Sequence, residues 1–300
     1  CLANLILLTI IINICPFFGL FQPTNVLAGE NRWTVFLKGM TSKPITAIQI
    51  SPKNSQIIYV ATYGDGILGT NDNGKTWFFL NNGLKNKEIL SLKVDPKIPD
   101  NLYVGTSAGF FFSKNRGKLW SDSILDSLKI NNLFVCPKNA GIVYAGTNKG
   151  IYYINCRAPD IRFEPKGLIK FNVLSVTGGT SLDIAKVIVP EQSSVKSYTY
   201  QNIFILFAGT SNGRIFKKRN IDFDWQNITP EEVVTANDTI YSLTVDRQDL
   251  QKVYVGTNHG VYKSLNGGFT WCKRLKSSLD DLGIYQLYVN PYAENIIYAA

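Results

Sequence analysis

The sequence predicts an all-β fold assembled from repeated four-stranded units, and three observations carry that expectation. The 300-residue chain is 45% hydrophobic, is rich in the strand formers Tyr, Phe, Val, Ile and Thr, and supplies 24 glycines for turns. One short pattern recurs five times along the chain. No segment offers an amphipathic helix of three turns.

Taken from the start, the first 28 residues, "CLANLILLTIIINICPFFGLFQPTNVLA", carry no charge and give way to "GENRW". Val26, Leu27 and Ala28 resemble a cleavage site with small outer residues, so residues 1–28 are expected to be an N-terminally truncated secretory signal cut after Ala28. An uncleaved membrane anchor is the alternative, since Leu2 to Leu20 is nearly long enough to span but contains Pro16. Either reading places the protein as secreted, periplasmic or at the cell surface. The cysteines beyond that segment, Cys136, Cys156 and Cys272, form no CxxC pair, so neither a disulfide framework nor a zinc site is indicated. A bridge between Cys136 and Cys156 on neighbouring strands stays open.

The repeats then set the architecture. "IYVATYGDG" from Ile58, "LYVGTSAG" from Leu102, "VYAGTNKG" from Val143, "LFAGTSNG" from Leu206 and "VYVGTNHG" from Val253 share one threonine. Thr62, Thr106, Thr147, Thr210 and Thr257 are spaced by 44, 41, 63 and 47 residues. A second element precedes most copies: "IQISP" from Ile48, "LKVDP" from Leu92, "LFVCP" from Leu133 and "LTVDR" from Leu243, with "LYVNP" from Leu287 opening a further one. The "LxVDP" run alternates sides, "VYVGT" suits a strand buried on both faces, "GVYKS" returns after a Gly-containing turn, and a Trp opens the last strand.

A unit of four short strands in about 44 residues is a propeller blade, so a β-propeller is expected over residues 29–300. Trp33 and Trp77 each lie 18 residues before the end of a "second element", at Ser51 and Asp95, with Gly39 and Gly83 in step. The chain therefore begins on the last strand of a blade and stops at "IIYAA" inside another. The expectation is six or seven blades in the full protein, with the C-terminal part missing. The longer spacing in the fourth repeat places an insertion at residues 178–200. Such insertions fall in loops and can carry specific function.

Three stretches close their repeats alike: "TNDNGKTW" from Thr70, "SKNRGKLW" from Ser113 and "SLNGGFTW" from Ser264. They resemble the Asp-box, or bacterial neuraminidase repeat, in which Ser or Thr, Asp, Gly, Thr and Trp recur at fixed spacing. The matched positions are Thr70, Asp72, Gly74 and Trp77; Ser113, Asn115, Gly117 and Trp120; Ser264, Asn266, Gly268 and Trp271. The third and fourth repeats lack the box, Cys156 standing where Asp72 would be. The resemblance covers about residues 33–300 and extends to propellers of sialidases, xyloglucan-hydrolysing endoglucanases, sortilin-type receptors and photosystem II assembly factors. It implies that each box is a structural turn whose Trp packs between blades. A calcium loop does not fit, because setting Gly74 at its sixth position puts Gly69 first and Leu80 twelfth.

Function is narrowed by what can be placed. No sialidase arginine triad, Tyr nucleophile or early "FRIP" motif is found. Asp65, Asp95 and Asp246 are the only carboxylates offered for a glycoside hydrolase, and the places of Asp95 and Asp246, held by Ser51, Cys136 and Asn290 in other repeats, suggest turn capping. The single histidine, His259, lies on a varied hairpin turn with no partner evident in a motif. No cofactor or metal is implied. The formal charge of +9, with "KKR" at 217–219 and "KRLK" at 273–276, favours an anionic partner, protein or glycan, and there is no nucleic-acid motif. The membrane is expected to be met only through an uncleaved N-terminal segment.

The resulting expectation is a secreted, non-catalytic propeller serving as a binding or assembly scaffold, with a xyloglucanase-like glycoside hydrolase as the alternative. Propeller geometry places the turns after "VYVGT" opposite the Asp-boxes. The candidate contact residues are therefore Tyr63, Asp65, Ser107, Asn148, Lys149, Ser211, Asn212, Asn258 and His259, joined by the 178–200 insertion if it folds over that face.

Overall fold

The computed structural model describes residues 27–28, 31–32, 42–157, 161–186, 198–220, 222–231, 233, 237–272, 282–290 and 296–300. Every named element is a strand. No helix among the described residues is long and apolar enough to cross a membrane. The chain divides into two compact units, Ile11–Ser127 and Leu128–Ala300 together with Cys1–Ile10. Trp33 and the "KRLK" run lie outside the described residues.

In the first unit, β1 (Leu27–Ala28) pairs with β2 (Asn31–Arg32). A four-stranded antiparallel sheet follows: β3 (Ile45–Ser51), β4 (Asn54–Thr62), β5 (Ile67–Thr70) and β6 (Phe78–Phe79), in sequential order. The next sheet holds β7 (Ile89–Val94), β8 (Leu102–Thr106) and β9 (Phe110–Ser113). All five residues of β8, "LYVGT", are buried, as a continuous apolar strand requires. Ile67, Leu80, Leu92, Leu102, Val104 and Trp120 join the core shared by these two sheets.

The second unit carries β10 (Ile130–Val135), β11 (Ile142–Thr147), β12 (Gly150–Asn155) and β13 (Arg162–Pro165) in one sheet, and β14 (Val173–Lys186), β15 (Tyr198–Thr210), β16 (Ile215–Arg219) and β17 (Gln226–Asn227) in the next. Then come β18 (Ile240–Val245), β19 (Val253–Thr257) and β20 (Gly260–Ser264), and the pair β21 (Leu287–Val289) and β22 (Ile297–Ala299). Neighbouring sheets are stitched through their first strands. Asn131 Nδ2 donates to Val173 O at 2.9 Å, Asn132 Oδ1 accepts from Val176 N at 3.1 Å, and Leu243 N donates to Ser175 Oγ at 3.0 Å.

Two expectations change. The fourth strand is not complete in every sheet: beside β9 it shrinks to a bridge between Phe110 and Ile124, and beside β20 to one between Lys263 and Cys272. Beside β9 the chain pairs again through Ser121 N to Phe112 O and bulges at Asp122 and Ser123 before Ile124, which breaks the ladder. The 178–200 insertion is not a loop in its described part. It lengthens β14 and β15 into one ribbon, paired without a break from Ser175↔Gly209 to Lys186↔Tyr198. At about 3.3 Å per residue such a 13-residue strand reaches about 43 Å. Residues 187–197, the tip, lie outside the described residues.

Cys136 and Cys156 are buried free thiols. They follow β10 and β12, which flank β11 rather than pair with each other, and the bridge the sequence left open is not formed.

Candidate functional site

The sheets have two distinct ends. At one, the box turns close the third strand onto the fourth. Thr70 Oγ1 donates to Asp72 Oδ1 at 2.7 Å and accepts from Gly74 N at 3.0 Å, while Asp72 accepts from Thr76 N at 2.9 Å and Thr76 Oγ1 at 2.6 Å. Those bonds, led by the Thr76 hydroxyl and amide and then the Thr70 hydroxyl, hold the Asp72 carboxyl down to about 2. Ser113 and Asn115 repeat the pattern through Gly117 N and Leu119 N. Ser264 and Asn266 repeat it through Gly268 N and Thr270 N. Left-handed backbone at Asn73 and Gly74, Arg116 and Gly117, and Gly267 and Gly268 completes the turns. In two of the three boxes an amide oxygen takes the carboxylate's acceptor place, so the turn closes without a charge.

The box tryptophans act as wedges. Trp120 Nε1 donates to Leu80 O at 2.7 Å, and Trp271 Nε1 to Ile228 O at 2.8 Å, each reaching the end of the preceding sheet's last strand. Trp77 is half-buried, and its indole nitrogen has no partner among the described residues. The fourth repeat replaces the box with an ion pair, Arg219 Nε and Nη2 donating to Asp222 Oδ1 at 3.0 and 2.8 Å, yet Trp225 Nε1 still donates to Lys166 O at 2.8 Å.

At the opposite end, each repeat threonine locks a short hairpin. All five are fully buried. Thr106 Oγ1 donates to Gly109 O at 2.9 Å and accepts from Ala108 N; Thr147 does the same with Gly150 and Lys149, and Thr257 with Gly260 and His259. Thr62 and Thr210 hold turns one residue longer, bonding Gly66 O and Arg214 O. A β-bulge lies beside each of these threonines, at Thr46, Leu90, Asn131, Leu174 and Tyr241.

The residues on these turns differ from copy to copy, several of them bonding within the turn end, Ser107 Oγ accepting from Asn86 Nδ2, Asn148 Oδ1 from Lys129 N and Asn258 Oδ1 from Thr239 N, and all nine candidate contact residues sit there. In the first unit Tyr63 is exposed and Asp65 and Ser107 are half-buried. In the second, Asn148, Lys149 and Asn212 are exposed, and Ser211, Asn258 and His259 half-buried. The described ribbon leaves its sheet at the other end. β14 and β15 meet near the Thr210 turn only at Val173↔Thr210 and run away from it toward Lys186 and Tyr198. The insertion thus does not cover the turn face in its described part, because the connection between first and second strands is always opposite the turn between second and third.

Direct contacts correct the expectations for His259 and the basic run and agree with turn capping by Asp95 and Asp246. His259 has a carboxylate partner: its Nδ1 bonds Asp238 Oδ1. Asp95 and Asp246 are buried turn caps, Asp95 accepting from Lys97 N, Ile98 N and Tyr103 OH, and Asp246 from Gln248 N. The "KKR" run is not an open basic patch. Lys217 is 6% exposed, donates to Gly267 O at 2.9 Å and lies over the Phe207 and Phe269 rings. Arg219 is spent on Asp222.

A recess missed in the sequence lies at the ribbon root, where Tyr144 packs against Tyr153 and Phe204 at 5.6 and 5.5 Å, beside Lys138, Asn139 and Thr180. Burial pushes the Tyr144 phenol up to about 12, so it stays a neutral donor.

No family model matches the chain, and no curated protein matches its sequence. Solved structures do match its fold. A GH74 enzyme of Niastella koreensis aligns at 20% identity and a TM-score of 0.57, covering 84% of this chain and 44% of that one. The GH74 xyloglucanase of Xanthomonas campestris aligns at 15% and 0.62, covering 83% and 42%. YCF48 bound to D1 peptide aligns at 14% and 0.57, covering 86% and 76%.

The fold is a β-propeller. The chain spans less than half the length of the GH74 enzymes it matches and about three quarters of YCF48. At these identities the likeness concerns the blades alone. The chemistry of the propeller's ends has to be argued from its own residues.

Proposed function

We propose that this β-propeller is an exported, non-catalytic scaffold that binds a protein or glycan partner through the turn ends of its sheets. The observation that carries the reading is a division of labour along each blade. The buried threonine and its bulge hold the backbone of every turn in place, while the residues displayed there change from Tyr63 and Asp65 to Ser107, Asn148 and Lys149, Ser211 and Asn212, and Asn258 and His259. A constant frame with varied short polar side chains suits recognition. Two carboxylates put forward for hydrolysis, Asp95 and Asp246, are consumed inside turns, which counts against that chemistry. The uncharged N-terminal segment supports export.

A xyloglucanase-like hydrolase is the rival reading, suggested by the GH74 neighbours. Incubating the full-length exported protein with plant and bacterial polysaccharides, alongside affinity capture from its own compartment, separates the two. A stable stoichiometric partner with no reducing sugar released supports the scaffold. Sugar release with no retained partner overturns it.

A further inference from the structure

Resting on the scaffold reading, we propose that Asp238 and His259 form a proton-gated site for a carboxylate-bearing, acidic peptide on the turn end of the β14–β17 and β18–β20 sheets. The Asp238 side chain is wholly buried, and its carboxylate meets His259 Nδ1 through Oδ1 and accepts from the Tyr262 hydroxyl through Oδ2 at 3.2 Å. A buried carboxylate accepts but cannot donate, so the imidazole proton sits on Nδ1 and Nε2 is left outward on a ring whose side chain is 41% exposed.

The pair is held rigidly. Thr239 Oγ1 donates to Ser211 O at 3.1 Å and Thr239 N to Asn258 Oδ1 at 2.7 Å, which staples the 238–239 segment between the turns of two adjacent sheets. Gly213, at φ 71°, comes so close that a Cβ there would lie 2.3 Å from the Asp238 carbonyl. This site is a built constellation rather than a loose surface histidine.

The charge logic gives the gate its direction. With His259 neutral, the pair carries the net negative charge of Asp238 and its outward Nε2 can only accept, so an incoming carboxylate is repelled and finds no donor. With His259 protonated, the pair is neutral and Nε2–H donates outward. Among the described residues, other charged or titratable groups on the elements around it include Tyr241 on β18, Tyr262 and Lys263 on β20, Arg214 on the turn whose Gly213 packs against Asp238, and Tyr285 on the segment whose Ile284 N bonds Thr257 O. Lys149, exposed on the turn of the β10–β13 sheet, adds positive charge to the same end of this unit. His259 is the single imidazole of the chain, so the gate belongs to it.

His259 is the only histidine in the chain, which makes the test direct. Long-range proton–nitrogen spectra of the full chain should show a single imidazole with its proton on Nδ1 at about pH 8. A proton on Nε2 overturns the proposal. A fluorescein-labelled peptide of alternating Glu and Gly with a free C-terminus serves as probe. Its affinity for the wild type should fall about tenfold between about pH 5.5 and about pH 8. His259→Gln should bind with no such dependence, and Asp238→Asn should flatten it and shift the imidazole titration. Lys149→Glu, a surface change that leaves folding intact, should weaken the probe at both pH values. Equal pH profiles in wild type and His259→Gln, or no probe binding at either pH, overturn the site. A native partner captured equally by wild type and His259→Gln would leave the scaffold standing and remove only this proposal.

Discussion

The indole N–H of Trp120 donates to the backbone carbonyl of Leu80 across a sheet boundary, at 2.7 Å and forty residues' separation. Trp120 is 4% exposed and belongs to the same core as Leu80. One side chain thus closes its own turn, fills the space between sheets and satisfies a strand-end carbonyl. Truncating Trp120→Ala should cost about 3–5 kcal/mol by cavity formation. Trp120→Phe, which keeps the ring but loses the donor, should cost about 1 kcal/mol. Urea unfolding measures both, and a loss under about 0.5 kcal/mol for the alanine variant contradicts the wedge.

The box carboxylate makes a pH prediction. The hydrogen bonds from Thr76 and Thr70 hold the Asp72 carboxyl down to about 2 in the fold, against an ordinary 3.8. Because the folded value is the lower one, Asp72 stabilises the fold above the unfolded value, and that contribution is lost as pH falls from about 4 toward about 2. Asp72→Asn keeps the amide-accepting oxygen, as Asn115 and Asn266 do. Its stability should approach that of the wild type as the solution is acidified through that window, read from thermal unfolding across a pH series. A gap that widens toward acid contradicts the assignment.

Two of the three box glycines, Gly74 and Gly268, should respond unequally to a methyl group. Both have positive φ, 87° at Gly74 and 91° at Gly268. A Cβ on Gly268 would meet Ile228 Cδ1 at 2.3 Å, whereas on Gly74 it meets Trp77 at an ordinary 3.6 Å. Gly74→Ala should lose about 1 kcal/mol from backbone strain alone, and Gly268→Ala somewhat more, because the terminal methyl of Ile228 must turn aside. Equal losses in chemical denaturation contradict the packing described at Ile228.

The repeat threonines should be costly to replace. Thr257 is fully buried, donates to Gly260 O at 3.1 Å and accepts from His259 N at 3.1 Å. Thr257→Val keeps the shape but leaves both turn groups without that partner, for an expected loss of about 1–3 kcal/mol. Thr257→Ser should recover most of it. If valine is tolerated and serine is not, the threonine is acting through its methyl group instead.

Much of the blade was legible in the sequence because repetition averages out the ambiguity of any single strand. The alternating "LKVDP" run became β7 and the apolar "LYVGT" run became β8, since the period of side-chain direction distinguishes one buried face from two. Trp120 was legible as a wedge, but its acceptor was not, because a backbone carbonyl leaves no trace in residue identity. The threonines marked the register in every copy, yet their role as turn locks appeared only with the hydroxyl geometry. Asp238 was missed because its place in the repeat, just before the first strand, is held by Lys43, Lys87 and Leu128 in other copies, and its bond to His259 bridges 21 residues. The insertion carried a readable signal in "SLDIAKV" and "YTYQNIFIL", whose alternation is that of paired strands, but its polar tip drew the reading toward a loop.

The central claim is that the propeller binds through the threonine-locked turn ends. It is tested most directly by titrating the captured native partner against wild type and a Lys149→Glu, His259→Gln double variant, with matched thermal melts. The account predicts unchanged melting and at least about tenfold weaker binding in the double variant, a loss of about 1.4 kcal/mol. Equal affinity in the two proteins, both folded, would contradict it.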